Sequence, residues 1–137
     1  MIALSDTPID ANVVTDSVRS PRFGAVITFE GITRDHHDGR GVTGLWYEAY
    51  APMAVAEMER IAAEISARWP GTAVAMVHRT GAVPIGEASV VIAVGAEHRG
   101  EAYEASRYAI DELKLRVPVW KREAYADGTA WIANKVS

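Results

Sequence analysis

Two stretches of helical periodicity, each closed by proline and set among β-branched runs, confine this 137-residue chain to a mixed α+β architecture. In the first, Met58, Ile61, Ile65 and Trp69 recur at helical spacing, with Glu57, Glu59, Glu64 and Arg68 as solvated charges. Pro52 stands where a helix opens and its missing N–H costs little, and Pro70-Gly71 ends the run. In the second, residues 100–117, the apolar side is formed by Ala102, Ala109, Ile110, Leu113 and Val117 before Pro118 stops it. Strands are predicted at 23–30, 43–50, 72–79, 88–96, 119–125 and 130–133, where apolar and β-branched residues run together or alternate. Residues 1–20 are polar and aperiodic and are expected to hold no more than a short strand. The glycine-punctuated segment 34–41 reads as a mobile loop. The order β-β-α-β-β-α-β-β predicts an α+β sandwich, with two helices on one face of a mainly antiparallel sheet. With no internal repeat or low-complexity linker, residues 1–137 are expected to form a single domain.

The chain contains no cysteine, which rules out a disulfide, a thiolate metal site, a Cys nucleophile and a persulfide of its own. Any sulfur chemistry would need sulfur carried by another molecule. No apolar run approaches the ~20 residues that span a bilayer, and no basic-then-apolar signal pattern opens the chain. The expected address is the cytosol, with no membrane partner.

Against a formal net charge of -4, residues 95–123 concentrate six of the fourteen Lys and Arg residues: Arg99, Arg107, Lys114, Arg116, Lys121 and Arg122, together with His98. A basic focus on an acidic chain suggests a discrete anion site and not a polyanion surface. His98-Arg99-Gly100 stand where a strand hands over to a helix, whose free N–H groups favour an anion; the Arg adds a planar fork for phosphate or carboxylate. The alternative is a solvated Arg99 and a capping His98. Lys114, four residues after Ile110, borders the apolar stripe; taken alone it reads first as a snorkelling side chain over the core edge. Adjacent strand residues point to opposite faces, so one of Lys121 and Arg122 shares a cleft with Lys114, and Lys121 is the choice. Adjacent His36 and His37 on a glycine-rich loop lack fixed ligand geometry, so no metal or cofactor is expected. The loop reads better as a partly cationic cover over an anion pocket. His78-Arg79 ends a strand and reads as structural or interfacial. An RNA-binding sheet would need the aromatic RNP pattern, which is absent, and the acidic total also argues against nucleic acid.

Five segments fall in one order across residues 23–131: Phe29-Glu30-Gly31-Ile32-Thr33-Arg34; Tyr47-Glu48-Ala49-Tyr50 with Pro52-Met53; Val77-His78-Arg79-Thr80-Gly81; Ala96-Glu97-His98-Arg99; and Leu113-Lys114 through Pro118-Val119-Trp120-Lys121-Arg122-Glu123. Together they resemble the molybdopterin synthase catalytic (large) subunit family, often called MoaE. The resemblance implies an α/β hammerhead-type fold and a homodimer within a heterotetramer. A small ubiquitin-like sulfur-carrier subunit would insert its C-terminal Gly-Gly thiocarboxylate into the pocket, and cyclic pyranopterin monophosphate would gain the two dithiolene sulfurs of molybdopterin. By motif, Arg34, His98 and Arg99 would hold the pterin phosphate, with Ile32 and Thr33 lining the pocket. Lys114 and Lys121 would be the catalytic lysines, Lys114 beside the carrier's acyl group and Lys121 nearer the pterin; Arg122 and Glu123 would complete the substrate wall. Segment 35–41 receives no role, and the ending at 134–137 is expected to shorten any cover that a longer tail supplies. Two readings from other classes stand beside this one: a non-catalytic scaffold docking a ubiquitin-like protein, and a small phosphate- or RNA-binding α+β module.

Overall fold

The computed structural model describes residues 1–133, so the tail at 134–137 lies outside the described residues. The chain runs β1 (Ile2–Ser5), α1 (Ala11–Asp16), β2 (Ala25–Ile32), β3 (His36–His37), β4 (Arg40–Ala49), α2 (Ala51–Arg68), β5 (Ala73–Arg79), β6 (Gly81–Pro84), β7 (Ala88–Ala96), α3 (Arg99–Arg116), β8 (Val119–Tyr125) and β9 (Ala130–Ala133). The class is α+β. Where one sheet was expected there are two: the first has the order β1-β5-β7-β2, and in the second, β3-β4-β8-β9, β6 also pairs with β4. Only β1 and β5 pair in parallel among these strands.

Period-two alternation explains how the first sheet is covered. Met76, Val90, Ile92 and Val94 pack with Met58, Ile61 and Ile65 of α2 and Ala102, Ala105, Ala109 and Leu113 of α3. The intervening Ala75, Val77, Val91 and Ala93 pack with Val14 and Val18 of the α1 segment. Helices therefore lie on both faces, which corrects the one-face expectation, and β7 is a continuous apolar run because both its sides are buried. Helix α1 replaces the irregular N-terminal stretch. Its cap is Asp10, whose carboxylate accepts from Asn12 N–H at 3.0 Å and Val13 N–H at 3.4 Å.

The second sheet begins with a correction. The predicted mobile loop is a hairpin in which His37 pairs with Arg40 across Asp38 (φ 51) and Gly39 (φ 76). Two successive left-handed residues make the type I′ turn whose twist matches that of its strands. At the other end of the site, Pro118 excludes helix from Val117, which is extended at φ -75 and ψ 126. The chain thus passes directly from α3 into β8, with Lys114 in the last turn of the helix and Lys121 on the strand. Among the described residues, no helix is long and apolar enough to cross a membrane.

Candidate active site

Where the end of α3 meets the two sheets, the chain leaves a cavity of about 160 Å³. Phe29, Ile32, Leu45, Val90 and Leu113 give it apolar walls, and Arg34, Lys114 and Lys121 bring cations to it. Antiparallel register sets Lys121 opposite Tyr47 and Glu123 opposite Leu45, so residues 121 and 123 share a side of β8. Arg122 falls on the other side, its guanidinium 5.8 Å from the Trp46 ring centre, and does not line the cavity.

The three cations differ in their surroundings. Arg34 and Lys114 are exposed and have no ion pair or hydrogen bond among the described residues. The Lys121 side chain is 13% exposed, and its Nζ stands 3.5 Å from Glu123 Oε1. Glu123 is buried, which by itself raises its carboxyl pKa. Hydrogen bonds from Tyr125 Oη at 2.6 Å and His37 Nδ1 at 2.8 Å, with Lys121 nearby, outweigh burial and hold it below the ordinary carboxylate value. The carboxylate is therefore ionised at neutral pH.

His78 on the wall is the opposite case. Its Nδ1 lies 2.8 Å from the Arg79 carbonyl oxygen, which can only accept, so Nδ1 carries the proton. Burial pushes its pKa down to about 4, leaving a neutral ring whose buried Nε2 is a bare acceptor with no partner among the described residues. The Tyr47 ring meets it edge-on at 5.1 Å. Burial raises the Tyr47 phenol pKa and Glu123 adds to this, against a Ser89 hydrogen bond.

Of the residues singled out from sequence, Ile32, Arg34, Lys114, Lys121 and Glu123 meet at the cavity. Thr33 is buried but off its wall, with Oγ1 unpartnered. His98 and Arg99 are not brought there. They lie at the N-terminus of α3, and fifteen residues of helix separate Arg99 from Lys114, about 22 Å along the axis. His98 makes no side-chain cap bond; its Nε2 is 3.5 Å from Glu97 Oε1. The expected partly cationic cover is present, since Arg34, His36 and His37 of segment 34–41 all line the cavity, but sequence reasoning missed Tyr47 and His78 as lining residues. The Asp38-Gly39 pair was the signal for the hairpin that delivers His37; nothing local marks His78 as part of a cavity. Among the described residues, no three His, Cys, Asp or Glu side chains are grouped to hold a metal ion.

Residues 4–116 match the family model described as MoaE protein. The molybdopterin synthase catalytic subunit of Bacillus subtilis is 44% identical over 133 residues, covering 97% of this chain and 85% of the relative. That of Homo sapiens is 44% identical over 127 residues, covering 93% of this chain and 68% of the relative. The crystal structure of molybdopterin synthase from Staphylococcus aureus aligns with a TM-score of 0.91 at 37% identity, covering 95% of this chain and 94% of that one. With a family model spanning most of its length and relatives this similar in sequence and fold, the chain belongs to the MoaE family.

Proposed function

We propose that this chain is the catalytic subunit of a molybdopterin synthase. As a sulfurtransferase it moves sulfur from the C-terminal thiocarboxylate of a small ubiquitin-like carrier onto cyclic pyranopterin monophosphate, forming the dithiolene of molybdopterin. The observation that carries this reading is the meeting of Arg34, Lys114 and Lys121 at one cavity of mixed polar and apolar lining, two of them with no described partner. A thiocarboxylate and a phosphate are both anions, and two unit charges 4 Å apart repel by about 4 kcal/mol at an effective dielectric constant near 20. Unpaired cations between them offset that term. Once the carrier's sulfur has bonded to the pterin, water adding to the acyl carbon forms a tetrahedral oxyanion, which a fixed ammonium stabilises. The acyl C–S bond then breaks and the carrier leaves as a carboxylate. Lys114, exposed at the rim, is assigned to the acyl group of the entering tail; Lys121, deeper, is assigned to the pterin. The chain has no cysteine, so the sulfur must arrive on the carrier. The name "catalytic subunit" shared by the relatives also fits an assembly with a second kind of chain.

The cavity of about 160 Å³ is smaller than the ~300–1,000 Å³ of ordinary ligand sites. Its size and the distance to His98 and Arg99 both fit a pocket completed by a second copy of the chain, as the homodimer implied by the family resemblance would provide. In that arrangement His98 and Arg99 of one copy join Arg34 of the other on the phosphate. The reaction is assigned to the cytosol, on one domain spanning residues 1–137, without a nucleic-acid or membrane partner.

The test mixes the protein with thiocarboxylated carrier and cyclic pyranopterin monophosphate, then reads molybdopterin as its fluorescent oxidation product. Product is the expected result. No product despite confirmed binding of an active carrier would favour the docking scaffold, which would bind the carrier equally well after both lysines are removed.

A further inference from the structure

Among the described residues lining the cavity, Glu123 is the one carboxylate, and it stands beside Lys121. A buried carboxylate next to an ammonium should close into a direct pair. This one does not: the 3.5 Å from Nζ to Oε1 lies outside the about 2.7–3.2 Å of an N–H···O bond. Both carboxylate oxygens already accept from other donors, which draws the carboxylate away from Lys121 without filling every lone pair. His37 Nδ1 donates to the two oxygens at 2.9 and 2.8 Å, and Tyr125 Oη donates to Oε2 at 2.6 Å. The hairpin backbone fixes His37 by pairing it with Arg40, and its Nε2 lies 3.3 Å from Asp38 Oδ2. His36 is engaged elsewhere, 2.9 Å from Asp35. Arg40 stacks 3.6 Å from the centre of the Tyr125 ring, steadying the second donor.

We infer that His37 is a positioning residue that occupies Glu123 and so keeps the Lys121 ammonium facing the cavity instead of locked to that carboxylate. The β3–β4 hairpin, given no role by motif, thereby sets how much charge Lys121 presents to substrate. The inference rests on the sulfur-transfer reading only for its activity readout.

A first readout needs no turnover. The chain has three lysines, Lys114, Lys121 and Lys135, so limiting acetic anhydride followed by peptide mass spectrometry resolves each one. In His37→Leu, Glu123 turns to Lys121, and acetylation of Lys121 relative to the Met1 amino group slows about 5-fold or more. In His37→Asn, whose side-chain amide stands where Nδ1 stood, it stays within about 2-fold of the parent. An unchanged Lys121 rate in His37→Leu overturns the inference whether or not the protein makes molybdopterin. In the synthase assay, His37→Leu lowers kcat about 10-fold with KM within about 2-fold, and His37→Asn restores most of the loss. In a Glu123→Gln background the Leu substitution adds less than about 2-fold. A loss of equal size in both backgrounds, or one that Asn does not restore, assigns His37 to hairpin stability alone and overturns the inference. A wild type that makes no product removes the proposed function and its activity readout together, and labelling alone then decides the role of His37.

Discussion

Arg116 and Lys114 stand two residues apart near the end of α3 and meet opposite surroundings. Arg116 Nε donates to Glu57 at 2.8 Å, its two Nη groups to Glu64 at 2.6 and 2.8 Å, and Nη1 also to Glu112 at 3.1 Å. Tyr108 Oη adds a further bond to Glu64, and the network ties α3 to α2. Lys114 has no described partner and lines a cavity with apolar walls. A cation answered within the protein serves the fold; one left unanswered beside low-dielectric walls keeps its attraction for a ligand. The basic segment of the sequence is therefore not one patch. Helical and strand periodicity deal Lys114 and Lys121 to the cavity, Arg116 to the helix interface and Arg122 to the Trp46 side.

The largest expected effects break the pocket without touching the fold. Lys114→Ala or Lys121→Ala should lower kcat by about 10²–10³-fold, the scale of one lost transition-state charge contact. The melting temperature should move by less than about 2 °C for Lys114, which has no partner to lose among the described residues. Equal losses of activity and stability would erase the distinction between the two regions. A mixed dimer asks which copy supplies Arg99. Lys114→Ala and Arg99→Ala homodimers should each be impaired. If the site is shared, one of the two pockets in the mixed dimer carries no lesion, and about half the wild-type rate per dimer returns. If each pocket is built within one chain, both stay damaged and nothing returns.

The legible parts of the molecule were those set by local periodicity. Strand β7 and both long helices follow from side-chain spacing and from the prolines that end them, because those signals lie within one or two turns. Helix α1 was not legible: its six residues are too few for a period, and its apolar partners are on the sheet. The His37–Glu123 bond joins residues 86 apart in sequence, so neither end announces the other. Motif order assigned His98 and Arg99 to the phosphate without saying which copy of the chain supplies them, because sequence carries no distance; within one copy the rigid helix holds them apart from Lys114.

A middle-sized effect falls on the helix interface. Arg116→Leu leaves Glu57, Glu64 and Glu112 clustered without their shared cation. The expected cost is about 1 kcal/mol, discounted because Glu64 is 37% exposed. This corresponds to about 3 °C in melting temperature, with kcat per folded molecule unchanged. The same variant should flatten the acid response. Arg116 first, then Tyr108, hold Glu64 at about 2 against an ordinary 4.5. A carboxylate depressed in the folded state stabilises above its unfolded pKa and loses that contribution as pH falls toward the folded value. Urea unfolding of the wild type should therefore weaken between about pH 4.5 and pH 2.5, and less steeply in Arg116→Leu. Equal slopes would mean that the carboxylates are not held by Arg116.

The smallest effect separates two partners of one carboxylate. Arg60 donates to Glu57 Oε2 at 2.9 and 2.6 Å, while Arg116 holds Oε1 at 2.8 Å. Arg60 leads, with Arg116 second, in holding the Glu57 carboxyl below its ordinary value. Its contact is nevertheless expected to matter less to the fold, because the Arg60 side chain is 60% exposed and that of Arg116 27%. Water replaces an exposed donor at little cost, and freeing a long side chain returns entropy. Arg60→Ala should change stability by less than about 0.5 kcal/mol, within about 2 °C of the parent. A drop as large as that of Arg116→Leu would show that the exposed pair within α2 matters to the fold as much as the half-buried contact that reaches Glu57 from α3.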